Sequence, residues 1–120
     1  MPIRHFLILV TALCSFTASS SLLAESAQAE YAEKEYESWQ QQNELMNKSY
    51  SRLLSEAESE QNKNSAQQLK QAKEKWEEFR ELFCESVSTT YGGAWASIHK
   101  SECRVKLANQ LKNTTDGYGW

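Results

Sequence analysis

Glycine and proline are nearly absent from this chain, and that absence constrains its fold more than any other feature. The only proline is Pro2, and the four glycines are Gly92, Gly93, Gly117 and Gly119. A turn-rich all-β fold needs many more breaks than this, so long uninterrupted helices are the expected architecture. With 120 residues there is room for one small domain at most. A mean hydropathy of -0.68 with 24% charged residues is a soluble globular balance. The formal net charge of -3 argues against nucleic acid as a partner, because phosphate binding shows as excess lysine and arginine.

The first stretch has the order of a secretory signal peptide. Residues 1–5 are short and basic, residues 6–13 are an uninterrupted apolar and small run, and Ala27-Gln28-Ala29 offers a small-x-small cleavage site. The apolar run is shorter than the roughly 20 residues a membrane span needs. A second possible cut follows Ala24, but residues 1–29 are taken as the signal and Glu30 as the mature start. Cys14 follows Leu13 rather than the small residue that precedes a lipid-modified cysteine, and is expected to leave with the signal. The domain is then expected over residues 30–112, with residues 113–120 as a flexible tail.

Two cysteines remain, Cys84 and Cys103. In an exported chain an even pair reads as one disulfide. Closing a loop of about 20 residues stabilises a fold by roughly 3 kcal/mol in the chain-entropy account. The rival reading is a metal site of Cys84, His99 and Cys103. Structural zinc wants four ligands, and the mature chain has no further histidine or cysteine to supply the fourth.

Three periodic segments follow. Tyr36, Trp39, Met46, Tyr50, Leu53 and Ala57 recur at steps of three, four and seven, one face of a first helix ending near residue 59. Residues 61–65 are polar and read as a connection, and Ser65 with Gln68 resembles a capping box. Leu69, Ala72, Trp76, Phe79, Phe83 and Val87 trace a face of a second helix, which Gly92-Gly93 ends. Trp95, Ile98, Val105, Ala108 and Leu111 mark a shorter third helix to about Lys112. The expected fold is all-α: a hairpin of two long helices plus a shorter third, stapled by one disulfide.

Trp76, Arg80 and Cys84 stand four apart and form a second stripe on the second helix. Arg80 is placed to lay its guanidinium on the Trp76 ring, a cation–π contact of about 0.5–2 kcal/mol. Two readings stay open for this stripe: a rigid platform that presents Arg80, or core packing around an arginine paired to a carboxylate. The segment Tyr91-Gly92-Gly93-Ala94-Trp95 fits no phosphate or dinucleotide loop, and no cofactor is expected. It reads either as a helix–helix turn that needs positive φ, or as an exposed loop with an aromatic tip preorganised for a partner. An enzyme is not expected. Gly-x-Ser-x-Gly is absent, His99 is the only histidine of the mature chain, and a thin hairpin gives little room for a deep cleft.

The pattern Trp76-x-x-Phe79-Arg80-x-x-x-Cys84, then Gly92-Gly93, then Cys103, is similar to the signature of the LprI-type lysozyme-inhibitor domain family. Leu45-Met46-Asn47-x-x-Tyr50-x-x-Leu53-Leu54 resembles that family's Leu-Asn-x-x-Tyr-x-x-Leu segment, shifted by one residue. The resemblance covers about residues 40–112. Two features depart from it. Many relatives carry a further cysteine before the first helix motif, and Leu107-Ala108-Asn109-Gln110 replaces their Leu-Thr-x-x-Arg. The resemblance implies a small exported bacterial helical domain, periplasmic or secreted, that binds and inhibits lysozyme. The net acidity fits, because host-defence lysozymes are generally basic. Tyr91, Trp95, Lys100 and Arg104 are the expected partner-binding residues, the two cations facing carboxylates of the lysozyme cleft. The competing expectation is a periplasmic interaction or scaffold module with no lysozyme role, using Tyr31, Tyr36 and Trp39. An exposed aromatic stripe would also allow pairing with a twin.

Overall fold

The computed structural model describes residues 18–60 and 63–120. They form three helices: α1 (Ala18–Ser59), α2 (Lys63–Ser88) and α3 (Gly93–Asp116). Among the described residues there is no strand. The all-α expectation holds, although α3 with 24 residues is nearly as long as α2 with 26, and α1 exceeds both at 42. The expected basic and apolar parts of the signal, and Cys14, lie outside the described residues. The two expected cut positions, after Ala24 and after Ala29, fall inside α1.

The helices run up, down and up. Asn43 meets Arg80, Asn47 meets Lys73 and Tyr50 meets Leu69, so α2 lies antiparallel to α1. Tyr31 meets Glu102, Gln42 meets Asn109 and Ser49 meets Asp116, so α3 lies parallel to α1. α1 therefore serves both neighbours with one face. That face is the expected one: Trp39, Met46, Tyr50, Leu53 and Ala57 are buried, and only Tyr36 turns out to solvent. Trp39, Met46 and Ala108 form the centre of the core, with Trp76, Val105 and Leu111 packed against it.

α2 is turned away from its apolar periodicity. Its inward residues are Ala66, Leu69, Lys73, Trp76, Arg80, Cys84 and Ser88, all buried or half-buried. Ala72, Phe79, Phe83 and Val87, on the face traced by the sequence, are exposed. Leu69 and Trp76 belong to both patterns, but Lys73 replaces Ala72 and, from Phe79 onward, the inward residue is always the next one along, a rotation of about 100°. The reason is specific. Arg80 is anchored to α1 and Cys84 to α3, and these two attachments set which way the helix faces.

The helix ends also move. α2 begins at Lys63, so Ser65 and Gln68 lie inside its first turns rather than at a capping box. α3 continues to Asp116, four residues past the expected end near Lys112. Residues 113–116 of the expected flexible tail are thus the last turn of α3. Arg52 of α1 donates from Nη2 to the carbonyl oxygens of Thr115 and Tyr118, each at 3.0 Å, and Ser49 donates to Asp116. The two Arg52 bonds reach main-chain carbonyl groups at the helix end, and the Ser49 bond holds the Asp116 carboxylate.

Arg80 is buried among aromatic rings, so truncating it removes cation–π contacts, a hydrogen bond to Asn43 and packing volume together. Arg80→Ala is expected to lower stability by about 2–4 kcal/mol in urea unfolding. Arg80→Lys should recover only part, because an ammonium does not lie flat on two rings. A loss below about 0.5 kcal/mol, the level of a surface change, would contradict this assignment.

Candidate functional site

The inward stripe of α2 resolves the two readings of Trp76, Arg80 and Cys84 in favour of packing. The Arg80 guanidinium carbon lies 4.4 Å from the Trp39 ring centroid and 4.8 Å from that of Trp76. Its Nη1 donates to Asn43 Oδ1 at 2.9 Å and its Nε to Glu81 Oε1 at 3.4 Å. Burial lowers the Arg80 pKa from its ordinary value, and the charges of Glu81 and Glu77 oppose that shift. Arg104 of α3 also lies over the Trp39 ring, 5.4 Å from its centroid, and donates to Glu81 Oε2. Two cations thus share one tryptophan, and the Glu81 carboxylate between them offsets their repulsion. The Arg104 Nε is buried without a partner.

Glu81 was not foreseen as part of this group, although a signal existed. With Cys84 joined to Cys103 on antiparallel helices, one turn back on α2 lies opposite the next residue on α3. That register pairs Glu81 with Arg104, and in the other direction Glu85 with Lys100. Both ion pairs are present. Lys100 and Arg104, two of the expected partner-binding residues, are therefore each paired with a carboxylate of their own chain.

The disulfide joins Cys84 and Cys103 with their Cα atoms 5.5 Å apart. Both sulfurs are used there, which removes the alternative metal set with His99. His99 instead stacks with Tyr91, ring centroids 3.7 Å apart, and its Nδ1 lies 3.4 Å from Glu102. Between α2 and α3 the chain turns through Gly92 and Gly93. Gly93 has φ +56°, a conformation that favours glycine, and a Cβ there would meet nothing within 4 Å. The requirement at Gly93 is thus backbone conformation, not space. Tyr91 and Trp95 both remain exposed beside this turn.

The outer face of α2 carries what the inner face does not. Phe79 and Phe83 stack with centroids 5.4 Å apart and are about half exposed, at 52% and 47%. Leu82 beside them is 74% exposed, and Val87 continues the band. Along its Leu82 edge lies an open hollow lined by Glu74, Glu77, Glu78, Arg80, Glu81 and Leu82.

These features define a small, disulfide-stapled three-helix protein with a core that mixes aromatic and polar side chains. The family model for the lysozyme inhibitor LprI matches residues 18–112, and the chain belongs to that family. No curated protein and no solved structure matches it. Of the signature residues, Trp76, Arg80 and Cys84 face the core, whereas Phe79 faces solvent.

Glu81 makes the cluster sensitive to acid. Its desolvation favours the protonated form, but the hydrogen bond and charge of Arg104, with the charge of Arg80, outweigh this and lower its pKa below the ordinary 4.5. Its contribution is complete above that ordinary value and is lost as pH falls through the lower folded value. Stability should therefore decline on acidification below about pH 4.5, and Glu81→Gln should make that decline shallower. Identical acid limbs for both proteins in chemical unfolding at stepped pH would contradict the role given to Glu81.

Proposed function

We propose that this protein is an exported inhibitor that binds lysozyme and prevents cell-wall hydrolysis. The observation that carries the reading is the family match over residues 18–112. The net charge of -3 supports it, since an acidic body is drawn to a basic enzyme. The disulfide also supports it, because such bonds persist outside the cytoplasm. No catalytic step is assigned: both candidate thiols are oxidised and His99 is engaged by Tyr91 and Glu102.

Residues 1–29 are proposed as the export signal, with the working protein in the periplasm or outside the cell. A chain that begins at Glu30 keeps the Tyr31–Glu102 hydrogen bond and every buried residue of α1 from Trp39 onward. Of the competing scaffold surface, Trp39 is buried, while Tyr31, bonded to Glu102, and Tyr36 stay exposed. No helix of the described residues is long and apolar enough to cross a membrane.

The purified, oxidised protein should reduce lysis of bacterial cell walls by at least one class of lysozyme in a dose-dependent way. Reduction of Cys84–Cys103 should weaken this inhibition, because the bond fixes α2 against α3. Undiminished lysis by every class tested, at large molar excess, would overturn the proposal. The mass of the exported chain checks the signal independently, with loss of residues 1–29 expected.

A further inference from the structure

We infer that the outer face of α2 is a docking surface for a basic protein, the stacked Phe79 and Phe83 with Leu82 forming the apolar centre and the adjoining carboxylates receiving the partner's cations. On the reading proposed above, that partner is lysozyme, and the inference rests on that reading.

Three observations converge on this face. First, the apolar residues of the C-terminal half of α2, from Phe79 onward, are displaced from the core by the inward Arg80, Cys84 and Ser88, so their exposure is a consequence of the Arg80 and Cys84 anchors. Phe79, Leu82, Phe83 and Val87 stand at the i, i+3, i+4, i+8 spacing of a helix that lies in a partner's groove. None of the three helices covers them. Second, the charge beside them is one-sided. From Trp76 to Ser88 the helix carries Glu77, Glu78, Glu81 and Glu85 against Arg80 alone, and Arg80 is buried. Third, the hollow next to Leu82 is lined mainly by carboxylates. Glu77, Glu81 and Glu85 have ion-pair partners in Lys73, Arg104 and Lys100, while Glu74 and Glu78 have none among the described residues. Lys75 is the one cation at this edge without an ion-pair partner, and it stands at the N-terminal end of the band.

The arrangement fits a cationic partner better than a second copy. Two copies meeting symmetrically on the Phe79–Phe83 stack would bring the unpaired Glu74 and Glu78 of both into one interface, with Lys75 as the one unpaired cation of each copy there, a net like-charge contact. A basic protein with an apolar groove rimmed by lysine or arginine meets both features at once. An apolar centre with a charged rim is the usual anatomy of a specific interface, the centre governing affinity and the rim governing the rate of encounter.

The test uses the exported, oxidised chain and a basic lysozyme that it inhibits. Binding kinetics, lysis and sedimentation are measured for the wild type, Leu82→Ser/Phe83→Ser and Glu74→Lys/Glu78→Lys. All four positions face solvent, and helical circular dichroism with an intact disulfide checks each variant. The serine pair should weaken binding by about 30-fold or more, as for central interface residues. The lysine pair should slow association and reduce its salt dependence. Trp120→Ser, an exposed aromatic at the C-terminus, should bind as the wild type does. Unchanged binding by both α2 variants, with wild-type inhibition intact, would overturn this surface and leave the lysozyme reading standing. No binding of the wild type to any lysozyme would overturn both. A wild-type dimer that the serine pair dissolves would overturn it in favour of self-association.

Discussion

The stacking of Arg80 on Trp39 and Trp76 is the interaction on which the other arrangements depend. It places a charged side chain of α2 in the centre of a small bundle, where leucine or phenylalanine would normally stand. A guanidinium tolerates this position because its flat faces meet π-systems and its edges meet Asn43 and Glu81. Once Arg80 points inward, Cys84 one turn later does too, within reach of Cys103 on α3. The same rotation sends Phe79, Leu82 and Phe83 outward. Core packing and the outer face are thus two results of one choice of helix orientation.

The core itself is modest. Its largest fully buried side chains are Met46, Ile98 and Cys84, and Arg80, Ser49, Ser88, Ser101 and Thr115 are buried with them. Small domains of this kind need support beyond apolar burial. The disulfide supplies it between α2 and α3, where Glu81–Arg104 and Glu85–Lys100 flank it on either side. Arg52 supplies it at the C-terminal end of α3, and the Tyr50 hydroxyl, donating to the Leu69 carbonyl, supplies it between α1 and α2. The bundle is held by a series of directional contacts along a thin apolar seam.

Helix existence was legible in the sequence because breaks are scarce, and the buried face of α1 was legible because its apolar spacing and its packing agree. The disulfide followed from cysteine arithmetic. The orientation of α2 was not legible from periodicity, because its most apolar stripe is not the one that packs. The signature Trp76, Arg80 and Cys84 contained the correct orientation, since three residues at four-residue intervals must share a face. The extension of α3 to Asp116 was hidden because it depends on Arg52 and Ser49, which are distant in sequence. The ion pairs of Lys100 and Arg104 were hidden for the same reason: their carboxylate partners lie on another helix. The lysozyme connection came from the signature and not from any chemistry that composition or spacing displays.

The central claim is that α2 turns its arginine stripe inward and its phenylalanine stripe outward. Hydroxyl-radical footprinting of the oxidised protein, read residue by residue by mass spectrometry, tests it most directly. The account predicts rapid oxidation at Phe79, Leu82 and Phe83, with Trp39 and Met46 protected until the protein is unfolded. Protection of Phe79 and Phe83 in the free monomer, with Trp39 reacting readily, would contradict it.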